Sequence, residues 1–199
     1  MQQRSERRSN RDRTEATRRD LIAAARKLFT EKSYAETSTP DIVAAAGVTR
    51  GALYHHFADK QALFRAVVEQ EAADVALEIE RSLGPSEPSP RDALIAGSDA
   101  YFAAMRAPGR TRLLLLDGPA VLGRAVLDEI DSRHGNRTLR EGLLAMMDCG
   151  AMKRLPIEPL TELLGAAFDR AALAIEGGAP AEDYRKTLTA LIDGLAARS

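Results

Sequence analysis

Residues Thr37–Lys60 read TSTPDIVAAAGVTRGALYHHFADK, and the first half of this stretch has the pattern of a short helix. Thr39 is expected to N-cap that helix, with Pro40 at its first position and Asp41 near the positive end of the helix dipole. Gly47 suits the left-handed conformation in which many helices end. The pattern therefore predicts a short helix followed by a tight turn.

The second half of the stretch predicts another helix, from Arg50 to Phe57, with Thr49 as its N-cap. Leu53 and Phe57 lie one turn apart, so they are expected to face inward. The polar side chains then left on the outer face are Thr49, Arg50, Tyr54 and His55. Two short helices joined by a glycine turn are typical of a helix-turn-helix, whose second helix enters the major groove of DNA.

This outward row has the chemistry of a DNA contact. Arg50 can read guanine in the major groove, and the hydroxyl of Tyr54 suits a phosphate. His55 is expected to contact the DNA backbone or bases, whereas His56 points about 100° away on a helix and is given a structural role. The alternative for Tyr54 is a ring buried behind the recognition helix.

Two segments carry a resemblance to a known family, LIAAARKLFTEKSY (residues 21–34) and TSTPDIVAAAGVTRGALYHHFADKQALF (residues 37–64). They resemble the tetracycline-repressor (TetR) family of bacterial transcription regulators, most specifically through AGVTRGALYHHFADK. Ser33 stands where the family usually has Gly, and Val43 stands where it usually has Ala. A left-handed Ser33 would make the helix exit costlier, but neither departure touches the DNA-facing residues.

The resemblance implies an all-α fold, with an N-terminal three-helix DNA-binding domain and a C-terminal helical domain for ligand binding and dimerisation. The function that it implies is a dimeric repressor, released from a palindromic operator in double-stranded DNA by a small, mostly apolar effector of unknown identity. It also implies that the helix N-termini at Thr39 and Lys60 abut phosphates. The predicted DNA-binding residues are Thr39, Thr49, Arg50, Gly51, Tyr54, His55 and Lys60.

The composition also favours helices. The chain is rich in Ala, Leu, Arg and Glu and poor in β-branched and aromatic runs. Its single cysteine, Cys149, excludes an internal disulfide. Because no apolar run has membrane-spanning length and none follows the arginine-rich N-terminus, we expect a cytoplasmic protein.

Charge is divided unevenly along the chain. Residues 1–66 carry 13 Lys and Arg against 8 Asp and Glu, whereas the remainder carries 15 against 21. A basic N-terminal third fits nucleic-acid binding at one end. Residues 1–13 hold five arginines and almost nothing apolar, so we expect a disordered arm that either adds phosphate contacts or remains a solvated tail. We divide the chain into this arm (1–13), a DNA-binding domain (14–60) and an effector-binding and dimerisation domain (61–199).

Beyond the helix-turn-helix, the sequence predicts a long helix, a loop and a series of shorter helices. The clearest break is GPSEPSP, residues 84–90. The expected segments are a long helix over 60–83, a helix from 90 to 105, an apolar piece over 112–116, and helices over 120–134, 137–149, 159–176 and from 180 onward. The last two helices carry apolar stripes too wide for one chain to cover, which indicates a four-helix bundle between two copies. The predicted dimer-interface residues are Leu163, Ala167, Phe168, Ala171, Tyr184, Leu188, Leu191 and Leu195.

The family resemblance implies a ligand cavity between the middle helices. Its candidate lining is Tyr101, Met105, Leu115, Leu143, Met146, Met147 and Phe168. Methionine and aromatic side chains at helical spacing also fit an ordinary core, so both interpretations stay open.

Two other function classes compete with a ligand-released repressor. One is a regulator without a small-molecule effector, controlled by oligomerisation or a protein partner. The other is a metal-dependent enzyme, in which Asp131 and His134 share a metal with Glu129 nearby. No nucleophile elbow, phosphate loop or paired-carboxylate motif is present in the sequence, so we predict neither a catalytic residue, a metal nor a cofactor.

Overall fold

A computed structural model describes residues 2–83 and 89–196, with side chains from residue 12 onward. All named secondary-structure elements in these ranges are helices, which confirms the all-α prediction. The N-terminal helices are α1 (Gln2–Lys32), α2 (Thr39–Ala46), α3 (Arg50–His56) and α4 (Lys60–Ser82). They are followed by α5 (Pro90–Met105), α6 (Arg110–Arg112), a π-helical turn (Leu113–Asp117), α7 (Gly118–Leu122), α8 (Arg124–Arg133), α9 (Gly135–Asp148), α10 (Ile157–Glu176) and α11 (Ala181–Gly194).

The first helix reaches almost to the N-terminus. It begins at Gln2 and so includes residues 2–13, for which the sequence predicted a disordered arm. This segment contains neither Gly nor Pro and is rich in Arg and Gln, which are good helix formers, so the helix extends through it. A DNA contact by these arginines stays a prediction.

The start of α2 is shifted by one residue from the prediction. Its N-cap is Ser38, not Thr39, and Pro40 lies one position further into the helix than expected. The Ser38 hydroxyl accepts the N–H of Asp41, while the Asp41 carboxylate accepts the N–H of Ser38, both at 3.3 Å. This reciprocal capping box satisfies two backbone donors at once, which explains why serine takes the cap.

The turns on either side of α2 have left-handed residues. Gly47 has a φ of 64°, as predicted. Ser33 has a φ of 100°, a strained value for a residue with a Cβ. The hydroxyl of Thr37 donates to the Ser33 carbonyl at 2.7 Å, so a buried side chain holds this exit in place.

Two hydrophobic cores lie along α4. The first packs Leu21 and Phe29 of α1 against Ile42, Leu53 and Phe64. The second packs Val75 and Ile79 of α4 against Phe102, Leu143 and Phe168. Helix α4 therefore belongs to both the DNA-binding domain and the domain that follows it.

The chain between α5 and α9 is more broken than predicted. Gly123 has a φ of 80° and divides the helix expected over 120–134 into α7 and α8. Gly135 begins α9 instead of ending α8, and the piece expected over 112–116 is the π-helical turn. Of the predicted loop over 84–90, residues 84–88 lie outside the described ranges. Ser89 caps α5, since its hydroxyl accepts a hydrogen bond from the N–H of Asp92.

Candidate nucleic-acid interface and effector cavity

Helix α3 is held against the first core by its apolar side. Leu53 is fully buried and Phe57 is 5% exposed, so both face inward as predicted. Thr49 caps the helix, with its hydroxyl accepting the N–H of Ala52 at 3.1 Å. Tyr54 is 44% exposed, which excludes the alternative of a buried ring. The polar side of α3 therefore faces solvent.

Arg50 and Tyr54 lie side by side on that face. The guanidinium carbon of Arg50 is 5.5 Å from the centre of the Tyr54 ring, which is within cation–π range. His55 is exposed, and its ring centre lies 5.4 Å from that of His56. Burial, followed by the charges of His55 and Arg18, lowers the pKa of His56, so His56 stays neutral beside the core while His55 faces outward.

Two further predicted contact residues are Gly51 on α3 and Thr39 on α2. Gly51 is exposed, and the nearest heavy atom to a Cβ built there is the Thr49 hydroxyl at 3.9 Å. A phosphodiester backbone can therefore approach the α3 backbone closely at this point. Thr39 lies half-buried on the first turn of α2.

Lys60 has a different environment from the other predicted contacts. Its ammonium donates to the carbonyls of Tyr34 at 2.9 Å and Thr37 at 3.0 Å, and lies 4.2 Å from the centre of the Tyr34 ring. These bonds tie the α1–α2 connection to the start of α4. The ammonium is therefore engaged within the protein, and the Asp59 carboxylate caps the same helix end by accepting a hydrogen bond from Ala62 N–H at 2.7 Å. A phosphate contact at the α4 N-terminus stays a prediction.

One exposed cation near α3 was not predicted from the sequence. The guanidinium carbon of Arg18 lies 5.2 Å from the centre of the Phe57 ring, at the C-terminal end of α3. Arg18 precedes the buried Leu21 by one helical turn, and this spacing is the signal that places it beside the core. We add Arg18 to the candidate phosphate contacts.

A buried ion cluster joins α1, α4 and α6. The Glu71 carboxylate accepts Arg26 Nε at 2.6 Å and Arg110 Nε at 2.9 Å. Arg110 also donates to Glu78 at 3.0 Å and to the Ala104 carbonyl at 2.7 Å. Burial alone would raise the pKa of Glu71, but the hydrogen bonds and charges of the two arginines hold it below its ordinary value. The cluster therefore links the helix behind the DNA-binding motif to the second domain through charged groups.

The same junction includes a close backbone contact at Gly109. Its φ is 73°, and a Cβ there would lie 2.2 Å from Cγ2 of Thr30 on α1. Only glycine permits this approach. The α5–α6 connection consequently packs directly against α1, the helix that supports α2 and α3.

A cavity of about 330 Å³ lies between α4, α5, α9, α10 and the π-helical turn. Four of the predicted lining residues, Tyr101, Met105, Leu115 and Phe168, line it. Leu143, Met146 and Met147 do not, because they are buried in the second core on another face of α9. Helix α9 instead presents Leu139 together with smaller or more polar residues, such as Thr138, Glu141 and Gly142.

Two carboxylates stand at one end of this apolar cavity. The Tyr101 hydroxyl donates to Asp169 Oδ1 at 2.8 Å. Burial, and next the neighbouring Asp169 charge, raise the pKa of Asp131 to about 7. Burial also raises the pKa of Asp169 despite its bond to Tyr101. Sequence reasoning missed both as ligand-binding groups, since they lie on α8 and α10, and only folding brings them together.

Comparison with known proteins identifies the family. Residues 21–67 match the family model described as bacterial regulatory proteins, tetR family. Residues 91–197, more than half of the chain, match the model described as tetracyclin repressor-like, C-terminal domain. The chain belongs to the TetR family. It is a DNA-binding transcription regulator, and members of this family are not enzymes.

Individual relatives agree with this assignment. A TetR-family transcriptional regulator from Pectobacterium atrosepticum has a crystal structure with a TM-score of 0.74; it is 32% identical, and the match covers 94% of this chain and 98% of that one. The A-factor receptor protein of Streptomyces griseus is 32% identical over 90 residues, 45% of this chain and 30% of its own length. The transcriptional regulator AcrR of Shigella flexneri is 38% identical over 74 residues, 37% of this chain and 34% of its own length. The chain thus spans about a third of the length of these two curated relatives.

Two further observations concern membrane-spanning helices and the metal site that the sequence raised as an alternative. None of the described helices of this TetR-family chain is long and apolar enough to cross a membrane. The three residues considered as metal ligands each have different surroundings. Glu129 pairs with Arg65 at 3.0 Å, His134 pairs with Glu69 at 2.8 Å, and Asp131 lines the cavity. Within residues 2–83 and 89–196, no three His, Cys, Asp or Glu side chains come together to hold a metal ion.

The predicted dimer surface is narrower than the sequence suggested. Leu163 of α10 is 72% exposed and Leu191 of α11 is 50% exposed, so both are available to a partner. Phe168, Ala171 and Leu188 are buried in the chain's own second core, and assigning them to the interface was wrong. Their stripe is wide because one side serves the core and the other is left outside. Ala167, Tyr184 and Leu195 are half-buried against that core.

Proposed function

We propose that this TetR-family regulator is a dimeric repressor, which binds a near-palindromic operator and is released from it by a small, mostly apolar ligand. Reading of the operator is assigned to Arg50, Tyr54 and His55, supported by backbone contacts at Gly51 and the α4 N-terminus. In a two-fold dimer, the two α3 helices meet successive major grooves when they lie about 34–36 Å apart. The proposal therefore requires one recognition helix for each half-site.

The observation that carries ligand release is that α4 runs from the cavity to the DNA-binding domain. Ala72, Val75 and Ile79 of α4 line the cavity. Leu63 and Phe64, about two turns earlier on the same helix, are fully buried in the core that supports α3. A ligand that displaces the cavity segment of α4 consequently also moves the N-terminal part of α4, against which α3 packs.

The contacts between the domains give this displacement a path to α1 as well. Glu71 is bonded to Arg26 of α1 and to Arg110, and Gly109 rests on Thr30. Packed and hydrogen-bonded junctions of this kind have discrete arrangements and resist continuous deformation. The second domain therefore acts on the DNA-binding domain through α1 and α4.

The energetic demand on the ligand is modest. A coupling of about 1–3 kcal/mol changes operator affinity roughly 5- to 150-fold. The ligand must bind the DNA-incompetent arrangement better than the competent one, because equal affinity for both would shift nothing. A cavity of about 330 Å³ is of the size that small ligands occupy in proteins.

Dimerisation is supported by two exposed leucines of the last two helices. Leu163 and Leu191 lie on adjacent C-terminal helices, and exposed apolar side chains grouped on one face are typical of protein–protein interfaces. A symmetric operator also demands a symmetric protein. We assign the α10–α11 pair as the interface, with Leu163, Ala167 and Leu191 as the residues that a partner would cover.

Ligand release is tested by fluorescence anisotropy of a labelled operator, with the purified protein titrated in the presence of a panel of apolar effectors. At least one compound should weaken the complex several-fold. Leu139→Trp, which fills the cavity, should abolish that response and keep the operator affinity measured without ligand. Leu155→Trp, on an exposed leucine outside the cavity, should respond like wild type. If no compound weakens the complex, a regulator without an effector takes the place of this proposal.

A further inference from the structure

The polar groups on the cavity wall are almost all hydrogen-bond acceptors. Its three hydroxyls donate within the protein, each at 2.8 Å: Ser98 to the Leu94 carbonyl, Thr138 to the Gly135 carbonyl and Tyr101 to Asp169. Asn136 is the one lining side chain that still presents donors, through its amide. A ligand whose polar group is itself an acceptor would therefore find little to bind.

The carboxylates on the wall fall into two groups. Glu80 and Glu141 both accept hydrogen bonds from the exposed Arg137, so their charge is already compensated. Asp169 has only the neutral Tyr101 hydroxyl, and Asp131 forms no side-chain hydrogen bond or ion pair within the described part of the chain. The negative charge that lacks a counter-ion is therefore concentrated at the Asp131–Asp169 end.

A second cavity, of about 400 Å³, continues this end of the wall. Asp131, Asn136, Gly165 and Asp169 line both cavities and so form the boundary between them. The other charged groups on the second cavity are largely paired: Arg124 with Asp128 at 2.9 Å and Arg140 with Glu158 at 2.9 Å. The charge of Arg124 also acts on Asp131 and Asp169, but Arg124 is paired with Asp128. Asp131, Glu162 and Asp169 therefore leave the passage with an excess of carboxylates, which attracts cations.

From this arrangement we propose that the effector is an apolar molecule that carries a protonated amine, with its apolar body in the 330 Å³ cavity and its ammonium group between Asp131 and Asp169. This inference rests on the proposed function and specifies the ligand class of the same site. An ammonium group supplies three donors and a positive charge, which the two acceptor-only side chains lack. Charge-assisted hydrogen bonds of this kind are roughly twice as strong as neutral ones.

The protonation of the pair adds a pH dependence to binding. The charged or titratable groups that face Asp131 are Asp169 of α10, Tyr101 of α5, and Arg124 and Asp128 of α8. Because Asp131 has a pKa of about 7 without ligand, an incoming ammonium group displaces its proton at acidic pH. Amine affinity should therefore rise between pH 5.5 and pH 8 and then level off, while the affinity of a neutral ligand should not.

The test uses three probes with one apolar body: 4-phenylbutylamine, 4-phenylbutanol and 4-phenylbutyrate. Binding of each to the full-length protein is measured by calorimetry at pH 8. The amine should bind at least tenfold more tightly than the alcohol, and the carboxylate should bind most weakly. Equal affinities for amine and alcohol, or a preference for the carboxylate, would overturn the inference.

Matched variants separate the carboxylate pair from general effects of charge. Asp169→Asn and Asp131→Asn are each isosteric, and each should lower amine affinity at least tenfold while leaving alcohol affinity within about twofold. Asp148→Asn removes an exposed carboxylate of the same domain that does not line either cavity, and it should behave like wild type. If the Asn variants fold, as judged by circular dichroism, but retain the amine preference, the assignment of the ammonium site is wrong.

The same probes distinguish this inference from ligand release. Operator affinity is measured in parallel by anisotropy at a saturating concentration of each probe. A selective amine that leaves operator affinity unchanged would support the ammonium site and reject release. Probes that weaken the operator complex without amine preference would support release and reject the ammonium site.

Discussion

Gly51 shows how one residue can serve DNA approach at the expense of helix stability. It lies exposed in the first turn of α3, in a space that leaves a Cβ unopposed. Gly51→Ala should raise the free energy of unfolding by roughly 0.5 kcal/mol, because glycine loses more backbone entropy than alanine on folding. It should also lower operator affinity, since the added methyl group lies where the DNA backbone approaches.

Chemical denaturation and anisotropy of the same variant measure these opposite effects. The control is Gly194→Ala in α11, where a Cβ meets nothing within 4 Å. It should leave operator affinity unchanged. Full operator affinity in Gly51→Ala would contradict the assigned contact.

Asp131 makes the stability of the folded protein depend on pH. Its pKa is about 7 in the folded protein against an ordinary value of 3.8. Between those values the folded state holds a proton that the unfolded state has released, so the free energy of unfolding falls as pH rises and levels off above about pH 7. Asp131→Asn should remove much of this slope and stabilise the protein at pH 8 by on the order of 1–3 kcal/mol.

Urea denaturation of wild type and Asp131→Asn across pH 4.5 to 8 measures this slope. Glu71, whose pKa is lowered, loses its contribution in a more acidic range and so does not mask the effect. A variant less stable than wild type at pH 8 would show that Asp131 is favourably ionised in the fold.

At the scale of elements, local signals predicted what local chemistry determines. Thr49 and Gly47 each act within four residues of their own position, and they cap and end helices as expected. Ser38 was missed because two adjacent hydroxyls offer alternative caps, and the reciprocal bond to Asp41 decides between them. The division at Gly123 was missed because a glycine inside a helical pattern is compatible with both a continuous and a broken helix.

The face that a helix turns inward was harder to predict than the helix itself. Helix α9 has apolar residues at core positions and also borders a cavity, so its sequence fits two orientations. Met146 and Met147 pack in the core, while Thr138 and Gly142 face the cavity. The same ambiguity placed Phe168 and Leu188 at the dimer surface. Only the positions of neighbouring helices resolve it.

The α10–α11 pair leads to a prediction about assembly. The double variant Leu163→Arg and Leu191→Arg should convert a dimer into a monomer, because two charges would be buried without partners at the interface. Both positions are exposed in the single chain, so the fold should survive. Light scattering at micromolar concentration, with circular dichroism as a check of folding, measures the outcome.

A control outside these two helices keeps this test specific. Leu155→Arg introduces a charge at an exposed leucine outside α10 and α11, and it should leave assembly unchanged. A wild-type protein that is monomeric, or a double variant that stays dimeric, would contradict the assigned interface.

At the scale of the whole molecule, the two cores, the cavity and the buried Glu71 cluster are arranged along α4. The charge division seen in the sequence acquires a structural meaning here, because the basic third contains α3 and the acidic remainder contains the carboxylate-lined cavity. Sequence patterns predicted α2 and α3 closely, since the caps and turns that bound these helices act over a few residues. They could not predict the Asp131–Asp169 pair, whose members are 38 positions apart and meet only through tertiary packing.

The most direct measurement is selection of genomic DNA fragments by the purified protein, followed by anisotropy with wild type and Arg50→Ala. The selected fragments should share a near-palindromic sequence with half-sites about one helical turn, or a multiple of it, apart. Arg50→Ala should lose about 1–3 kcal/mol of binding free energy at that sequence and little on unrelated DNA. Selection without an enriched sequence, or wild-type affinity in Arg50→Ala, would contradict operator recognition through α3.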